Sequence, residues 1–566
     1  MAHLNALTAL ATEPTCQASQ GVSEQRLKRR DRACFSCTRC HRLKVKCDKK
    51  RPSCGRCAKS GFCTSCIYTH QVASTDPPTS PASPFVLAGE DPDNVVASWL
   101  LRKRSSSHWR SLMLKLESLN LVNSTWFMLA VREHSQGDCA KDFTLPGNFP
   151  FGSQESAKYM SHASVYALLQ ASRIDCQTYI DCYLGMYQVI YPILDTETFV
   201  QEVEAFWEKS DEDVDVSWLA QFLLVLGLGC FVSSRDAQKA TDFFFASEAC
   251  LSKTPYMFRP TMVILRTLCL MVISKQVANA TCWALDSCWN MMGLIIRIAI
   301  MMSLHQDREP LFGMVEPERE RNLRRRLWTT ICYFDIQLSL ITGQPSLLPC
   351  DIPPMPADQS QAAGLLTLDD CWTTVLPEMF PMLYRFLSRI NSRSEEISYD
   401  EILQYNMVIR RTIGHLTTVD GPPLLRLTLD IFFRRVLLVL HRQKALDDEA
   451  PAIYPISYWS SLECSLAMLV HHQNLSEGSG LSGNVDLIQR PFMLDFFAAI
   501  ITASVHLLRY DAPLTATFSS ESFIPPRQTI VGTLLTCQGI LAREKDKSVC
   551  FRTGCELLNE VLKLVP

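Results

Sequence analysis

Cysteines carry the densest chemistry in this sequence. Nine of its 24 cysteines fall within the first 66 residues. Cys34, Cys37, Cys40, Cys47, Cys54, Cys57, Cys63 and Cys66 form one block. Two Cys-x-x-Cys pairs can be picked out of it, Cys37/Cys40 and Cys54/Cys57, each followed by a lone cysteine, Cys47 or Cys66. Thiolates two residues apart can share one tetrahedral metal, because the intervening turn brings both sulfurs to ~2.3 Å from a zinc. Six thiolates fill two tetrahedral zincs only if two sulfurs bridge both metals. Eight could do so without bridging, with Cys34, Cys37, Cys40 and Cys47 on one ion and Cys54, Cys57, Cys63 and Cys66 on the other. A block this poor in apolar residues must draw most of its folding energy from the metal.

Charge says what such a block is for. From Arg26 to Lys59 there are 14 Lys/Arg against two acids. The remainder holds 41 basic and 56 acidic residues, so a strongly basic module is joined to a mildly acidic body. That is the electrostatic footprint of phosphate binding, which a RING-like or LIM-like protein-interaction zinc module does not need. Between Cys40 and Cys47 runs His41-Arg42-Leu43-Lys44-Val45-Lys46, a short helix carrying cations. A lysine there can donate to guanine O6 and N7 in a major groove. The upstream run Arg26–Arg32 reads as a nuclear import signal or a backbone-gripping arm.

The sequence Ala33–Tyr68 (ACFSCTRCHRLKVKCDKKRPSCGRCAKSGFCTSCIY) resembles the fungal Zn(II)2Cys6 binuclear-cluster transcription factors. The resemblance implies zinc ligands at Cys37, Cys40, Cys47, Cys54, Cys57 and Cys66. Cys37 and Cys54 would bridge, and Cys34 and Cys63 would stand aside. It implies a loop proline at Pro52 and two zinc ions in one cluster. It also implies that Lys44 reads a CGG-type triplet while Arg42, Lys46 and His41 contact phosphate or flanking positions. His41 and Leu43 stand where the family is often basic.

Outside the block the remaining 15 cysteines lie singly in apolar stretches, as at Cys230, Cys269 and Cys332. They read as small buried hydrophobes of a reducing compartment. The segment 71–94 opens with QVASTDPPTSPASP, an extended linker that cannot build a core. From about residue 95 the chain is apolar with helical periodicity. Met291–Leu304 reads as a buried helix, and Leu323–Ile341 repeats apolar residues at three- and four-residue steps. Leu424–Val439 and Phe492–Leu508 follow the same pattern. Glu316-Pro317-Glu318 marks a helix start, and Gly343-Gln344-Pro345 marks its end. Ser217–Ser234 is nearly long enough to span a bilayer, but reads as a core helix. Gly227-Leu228-Gly229 lacks the third glycine of a nucleotide-binding fingerprint. Arg324-Arg325-Arg326 reads as a solvated face or a set of ion pairs. Trp328, Tyr333 and Phe334 read as core, and Asp211-Glu212-Asp213 as an exposed loop.

Three stretches of this body also resemble the middle region of the same family: Tyr187–Phe199 (YQVIYPILDTETF), Arg297–Asp307 (RIAIMMSLHQD) and Arg324–Pro345 (RRRLWTTICYFDIQLSLITGQP). Gln306 and Gln344 replace the family's usual arginines, and Ser303 its frequent glycine. The expected organisation is a basic arm (1–32), a Zn2Cys6 domain (33–70), a Pro/Ser/Thr-rich linker (71–94) and a large all-α regulatory domain (95–566), with the middle region at about 175–357. No G-x-S-x-G, P-loop or H-E-x-x-H motif occurs. The reading is a nuclear, non-enzymatic, DNA-binding transcription factor, expected to be an activator and compatible with a regulator of a secondary-metabolite gene cluster. Its partners would be double-stranded DNA with CGG-like half-sites, the transcription machinery and a second copy of itself, with no membrane. Leu112, Leu116 and Leu119 do not sustain the heptads of a coiled coil.

Overall fold

The computed structural model describes residues 36–50, 53–63, 66, 105–109, 111–112, 115, 145–208, 214–234, 236–278, 282–306, 317–348, 372–391, 396–477, 489–509, 527–546 and 549–564. Pro52, Cys34, the arm, the linker and Asp211-Glu212-Asp213 lie outside these residues. The chain divides into two units, Met1–Gly89 and Glu90–Pro566. Among the described residues both are helical, with no strand.

The first unit holds two five-residue helices, α1 (Thr38–Arg42) and α2 (Gly55–Lys59). The helix expected over His41–Lys46 therefore starts earlier and ends at Arg42, because the left-handed backbone of Lys44 (φ 53°) stops it. Its core is made of thiols: Cys37, Cys40, Cys54, Cys57 and Cys66 are buried, with Val45 and Cys47 packed beside them.

The second unit is built of helices that bury several faces at once. They begin with α3 (His162–Ala171), α4 (Cys176–Tyr183) and α5 (Thr196–Glu208). At its centre, α6 (Val216–Ser234) packs against α4, against α7 (Ala237–Ser252) and against α8 (Met262–Ala278). This explains why α6 is apolar all round. It is long and apolar enough to cross a membrane, yet 89% of that stretch is buried inside the unit. The Gly227-Leu228-Gly229 sequence serves helix packing. A Cβ at Gly229 would lie 1.8 Å from the Tyr179 carbonyl oxygen, and one at Gly227 would lie 2.5 Å from the Phe244 ring. Any side chain there forces α6 away from α4 and α7.

Next come α9 (Cys282–Met301) and α10 (Glu318–Thr342), packed on each other. The α9 helix stops three residues short of the expected Leu304, because Ser303 takes a left-handed backbone (φ 58°). Within the triplet, Arg324 does not lie on a solvated face. It is only 2% exposed, and its Nη2 donates to the Ser303 (2.8 Å) and Gln306 (3.2 Å) carbonyls, closing the end left open after α9. Trp328, Tyr333 and Phe334 are buried core, as are Cys230, Cys269 and Cys332. The end of α10 is held by Asp335. Its carboxylate accepts the Ser346 hydroxyl (2.6 Å) and the Leu347 (3.1 Å) and Leu348 (3.3 Å) N–H groups. Burial raises its pKa to about 6. Gly343 closes the helix at φ 66°.

The C-terminal part comprises α11 (Val375–Asn391), α12 (Tyr399–Thr418), α13 (Pro423–Ala445), the single turn α14 (Ala450–Ile453), α15 (Pro455–Glu477), α16 (Met493–Leu508), α17 (Arg527–Glu544) and α18 (Val549–Lys563). Ser398 and Glu401 form a reciprocal capping box at the start of α12. Residues 105–109, 111 and 112 lie on this part. Arg442 Nη1 donates to the Ser106 (2.8 Å), Ser107 (2.8 Å) and His108 (3.1 Å) carbonyls. Trp109 meets Phe497 edge-on at 5.3 Å, and Leu112 is fully buried. Leu112 therefore belongs to the core of this unit.

Candidate metal centre and nucleic-acid interface

The thiol cluster is assembled by two copies of one local design. Cys37 and Cys54 each precede a helix, and each sulfur accepts the N–H of the next cysteine in its pair, Cys40 or Cys57, at 3.4 Å. The N-cap position thus supplies both a helix cap and a thiolate-stabilising hydrogen bond. The Cys57 N–H is the leading cause of a Cys54 pKa lowered to about 6. Desolvation pushes the Cys40, Cys57 and Cys66 thiols up instead. The Cys54 N–H donates to Cys66 Sγ at 3.2 Å, tying the last cysteine to the second half.

Six cysteines fall into two tetrads. Cys37, Cys54, Cys57 and Cys66 form one, and Cys37, Cys40, Cys47 and Cys54 form the other, each with its ligand atoms within 4.8 Å of one another. Cys37 and Cys54 belong to both. Cys37 Sγ lies 3.9 Å from both Cys54 Sγ and Cys57 Sγ, and Cys40 Sγ lies 3.7 Å from Cys54 Sγ. These distances far exceed the ~2.05 Å of a disulfide. They match the edge of a sulfur tetrahedron around zinc, roughly 3.8 Å for ~2.3 Å metal–sulfur bonds. The donor set therefore fits two zinc ions in one binuclear cluster with two shared sulfurs. Cys63 is exposed and belongs to neither tetrad, so the eight-thiolate division does not describe these residues.

The cations sit on the outside of this core. His41, Arg42, Lys44 and Lys46 are all exposed around α1 and the turn after it. Lys44 stands apart from the others. Its backbone is left-handed (φ 53°), a conformation that costs a side-chain-bearing residue roughly 1–2 kcal/mol. In the second half the matching position, four residues beyond Cys57, is Gly61 at φ 75°. The turns correspond bond for bond. Val45 N–H donates to the Cys40 carbonyl at 3.1 Å, and Phe62 N–H to the Cys57 carbonyl at 2.9 Å.

Two contributors escaped the sequence reading. Asp48 accepts the Gly55 N–H at 3.0 Å and 3.1 Å through its two oxygens, anchoring α2 to the chain after Cys47. A Cβ on Gly55 would approach the Asp48 carboxylate to 2.7 Å. An isolated acid inside a basic block was the available signal. Arg39 lies over the Phe62 ring at 3.9 Å and brings Nη1 to 4.0 Å from Cys57 Sγ, linking the two halves from outside. Nothing in the local pattern marks that contact.

Comparison with known proteins agrees with this geometry. Residues 35–74 match the fungal Zn(2)-Cys(6) binuclear cluster domain, and residues 180–392 match the fungal specific transcription factor domain. Neither is a catalytic module. The chain is 21% identical to the transcription factor lepE of Aspergillus flavus over 54% of its own length and 40% of the relative's. It is 22% identical to the Zn(2)-C6 fungal-type transcription factor mpsB of Macrophomina phaseolina, over 67% of this chain and 56% of the relative. It is 28% identical to the lactose regulatory protein LAC9 of Kluyveromyces lactis, over 34% and 21% respectively. The chain thus spans about half or less of the length of these curated relatives. With its paired thiol tetrads, the chain carries a fungal Zn(2)-Cys(6) binuclear cluster domain and a fungal specific transcription factor domain, a pairing that is characteristically nuclear.

Proposed function

We propose that this protein is a sequence-specific regulator of transcription whose zinc cluster holds α1 against the major groove of double-stranded DNA. Cys37, Cys40, Cys47, Cys54, Cys57 and Cys66 hold the two zincs, with Cys37 and Cys54 shared. The metals supply the folding energy that a core of thiols cannot. Lys44 then donates to guanine O6 and N7 of a CGG-type triplet, while Arg42 and Lys46 grip phosphates and His41 lies beside them. The observation that carries this reading is the exposed Lys44 in a backbone conformation suited to glycine.

In this reading the chain is organised as an arm (1–32), the cluster domain (33–70), a linker (71–94) and the helical regulatory body (95–566). The cluster addresses a promoter, and the body recruits the transcription machinery as an activator. A homodimer would present two modules, with half-site spacing set by the linker and the dimer contact.

The test is a salt titration of the zinc-loaded chain on a duplex carrying a CGG triplet and on a scrambled duplex. Preference for the triplet, falling steeply with salt, supports the proposal. Arg42→Ala should reduce the log–log salt slope by about 0.9 and leave the preference intact. Equal, salt-tolerant binding to both duplexes would instead favour a zinc-organised protein-interaction adaptor.

A further inference from the structure

A second site lies in the helical body, independent of the DNA-binding reading. Helices α5 and α6 and the start of α8 line an open pocket of about 270 Å³. Its walls include Phe206, Trp218, Ala205 and Val263, and its rim carries the carboxylates of Glu202 and Asp215. The aromatic wall is thick. Trp218 stacks on Phe222 at 5.0 Å and tilts against Phe206 at 5.3 Å, and Phe206 meets Trp207 edge-on at 4.9 Å.

The carboxylates are fixed by the same residues that build the wall. Glu202 accepts the Trp218 indole N–H at 2.8 Å, which orients ring and charge together. Asp215 is held at the start of α6, where its Oδ1 accepts the Ser217 N–H at 2.8 Å. Two guanidiniums are close, and both are shared among acids. Arg319 pairs with Asp195 and Glu197 at 2.9 Å. Arg266, largely buried, feels both Asp195 and Glu202. Behind the wall, Arg173 lies over the Trp207 ring at 5.0 Å, while the pocket's own charged lining is the two carboxylates Glu202 and Asp215.

An aromatic wall beneath a negative rim favours one class of ligand. An organic cation gains attraction from the ring faces and from the carboxylates, while its methyl groups leave water at little desolvation cost. A neutral or anionic ligand of the same shape gains only the apolar part. The volume is at or just below the lower end of the range for small-molecule sites. We propose that this pocket binds a small organic cation, an alkylammonium compound of about the size of choline. Such a ligand would bridge α5, α6 and α8, so its binding would stiffen the centre of the regulatory body.

The experiment is calorimetric titration of the zinc-loaded full chain with choline, beside 3,3-dimethylbutan-1-ol, a neutral compound of nearly the same shape. The proposal predicts saturable choline binding with a dissociation constant in the millimolar range or tighter, and at least about tenfold weaker binding of the neutral compound. Glu202→Gln keeps an acceptor for the Trp218 N–H and removes the charge. It and Asp215→Asn should each weaken choline several-fold while the helical circular dichroism stays unchanged. Equal affinity for choline and its neutral counterpart would overturn the proposal. So would the absence of choline binding to the folded chain, or choline binding indifferent to both substitutions. Loss of DNA binding would leave this result untouched, so the two readings fail separately.

Discussion

The two halves of the thiol cluster share a backbone and differ in what they carry. Each begins with a cysteine that caps a five-residue helix, and each ends in a left-handed residue followed by the same hydrogen bond. In the second half that residue is Gly61, for which the conformation is free of strain. In the first half it is Lys44. The helix turns differ in the same sense: His41-Arg42-Leu43 against Ala58-Lys59-Ser60. Symmetry serves the metal, and asymmetry serves the surface. On the proposed reading, the half whose residue departs from the cheaper choice, Lys44 in place of glycine, is the one that meets DNA.

Removal of the metal should have the largest effect, because it acts on both halves alike. Chelation, or Cys54→Ser, should unfold the thiol cluster with its helices α1 and α2, since apparent zinc-binding energies of about 10 kcal/mol or more have no apolar core to replace them. Circular dichroism and amide exchange would register the loss, while the helical body kept its signal. Cys63→Ser should change neither zinc content nor fold.

Lys44→Gly sharpens the comparison further, because its two effects have opposite signs. Affinity for a CGG duplex should fall by about ten- to a hundred-fold, the worth of one good base contact. Stability of the zinc-loaded unit should rise by about 1 kcal/mol as the backbone strain is relieved. A merely structural lysine would leave DNA affinity unchanged.

The reciprocal change, Gly61→Lys, should cost about 1 kcal/mol through strain alone, since a Cβ there meets nothing within 4 Å. It should leave triplet preference intact, and a gain of base reading would break the assignment of the first half as the working one. Smallest is Asp48→Ala, which removes an anchor of α2. It should lower stability by about 1 kcal/mol without altering zinc stoichiometry.

Much of this was legible in the sequence, because ligand spacing is local. The paired cysteines are visible in the spacing and the six-ligand set in the family resemblance, whereas the short helix expected at 41–46 instead runs from Thr38 to Arg42 and leaves Lys44 in the turn after it. The start of α10 at Glu318, one residue after Pro317, and its end at Gly343 are legible too. The substitution of Ser303 for a frequent glycine was also visible, but its consequence was not. Only the folded chain shows that φ there is positive and that the exposed carbonyls beyond it are capped by Arg324. The same holds for Lys44, whose strain depends on a turn closed by the metal-binding pairs. Long-range contacts were beyond reach for another reason. The bonds from Arg442 to the carbonyls of Ser106, Ser107 and His108 join residues more than 300 positions apart, and no periodicity encodes them. The pocket beside Trp218 likewise needs α5, α6 and α8 brought together. Of its residues, Trp218 reads in the sequence only as part of the core helix Ser217–Ser234.

The central claim, that Lys44 in the turn after the zinc-held helix α1 reads the base sequence, is tested most directly by selection. The zinc-loaded chain is offered randomised duplex DNA at near-physiological salt, in parallel with its Lys44→Gly form and a chelated sample. The account predicts enrichment of a CGG-type triplet by the unmodified chain and its loss in both controls, with Lys44→Gly still holding its zinc. Enrichment that persists in the zinc-loaded Lys44→Gly chain, or no enrichment by the fully zinc-loaded protein, would contradict it.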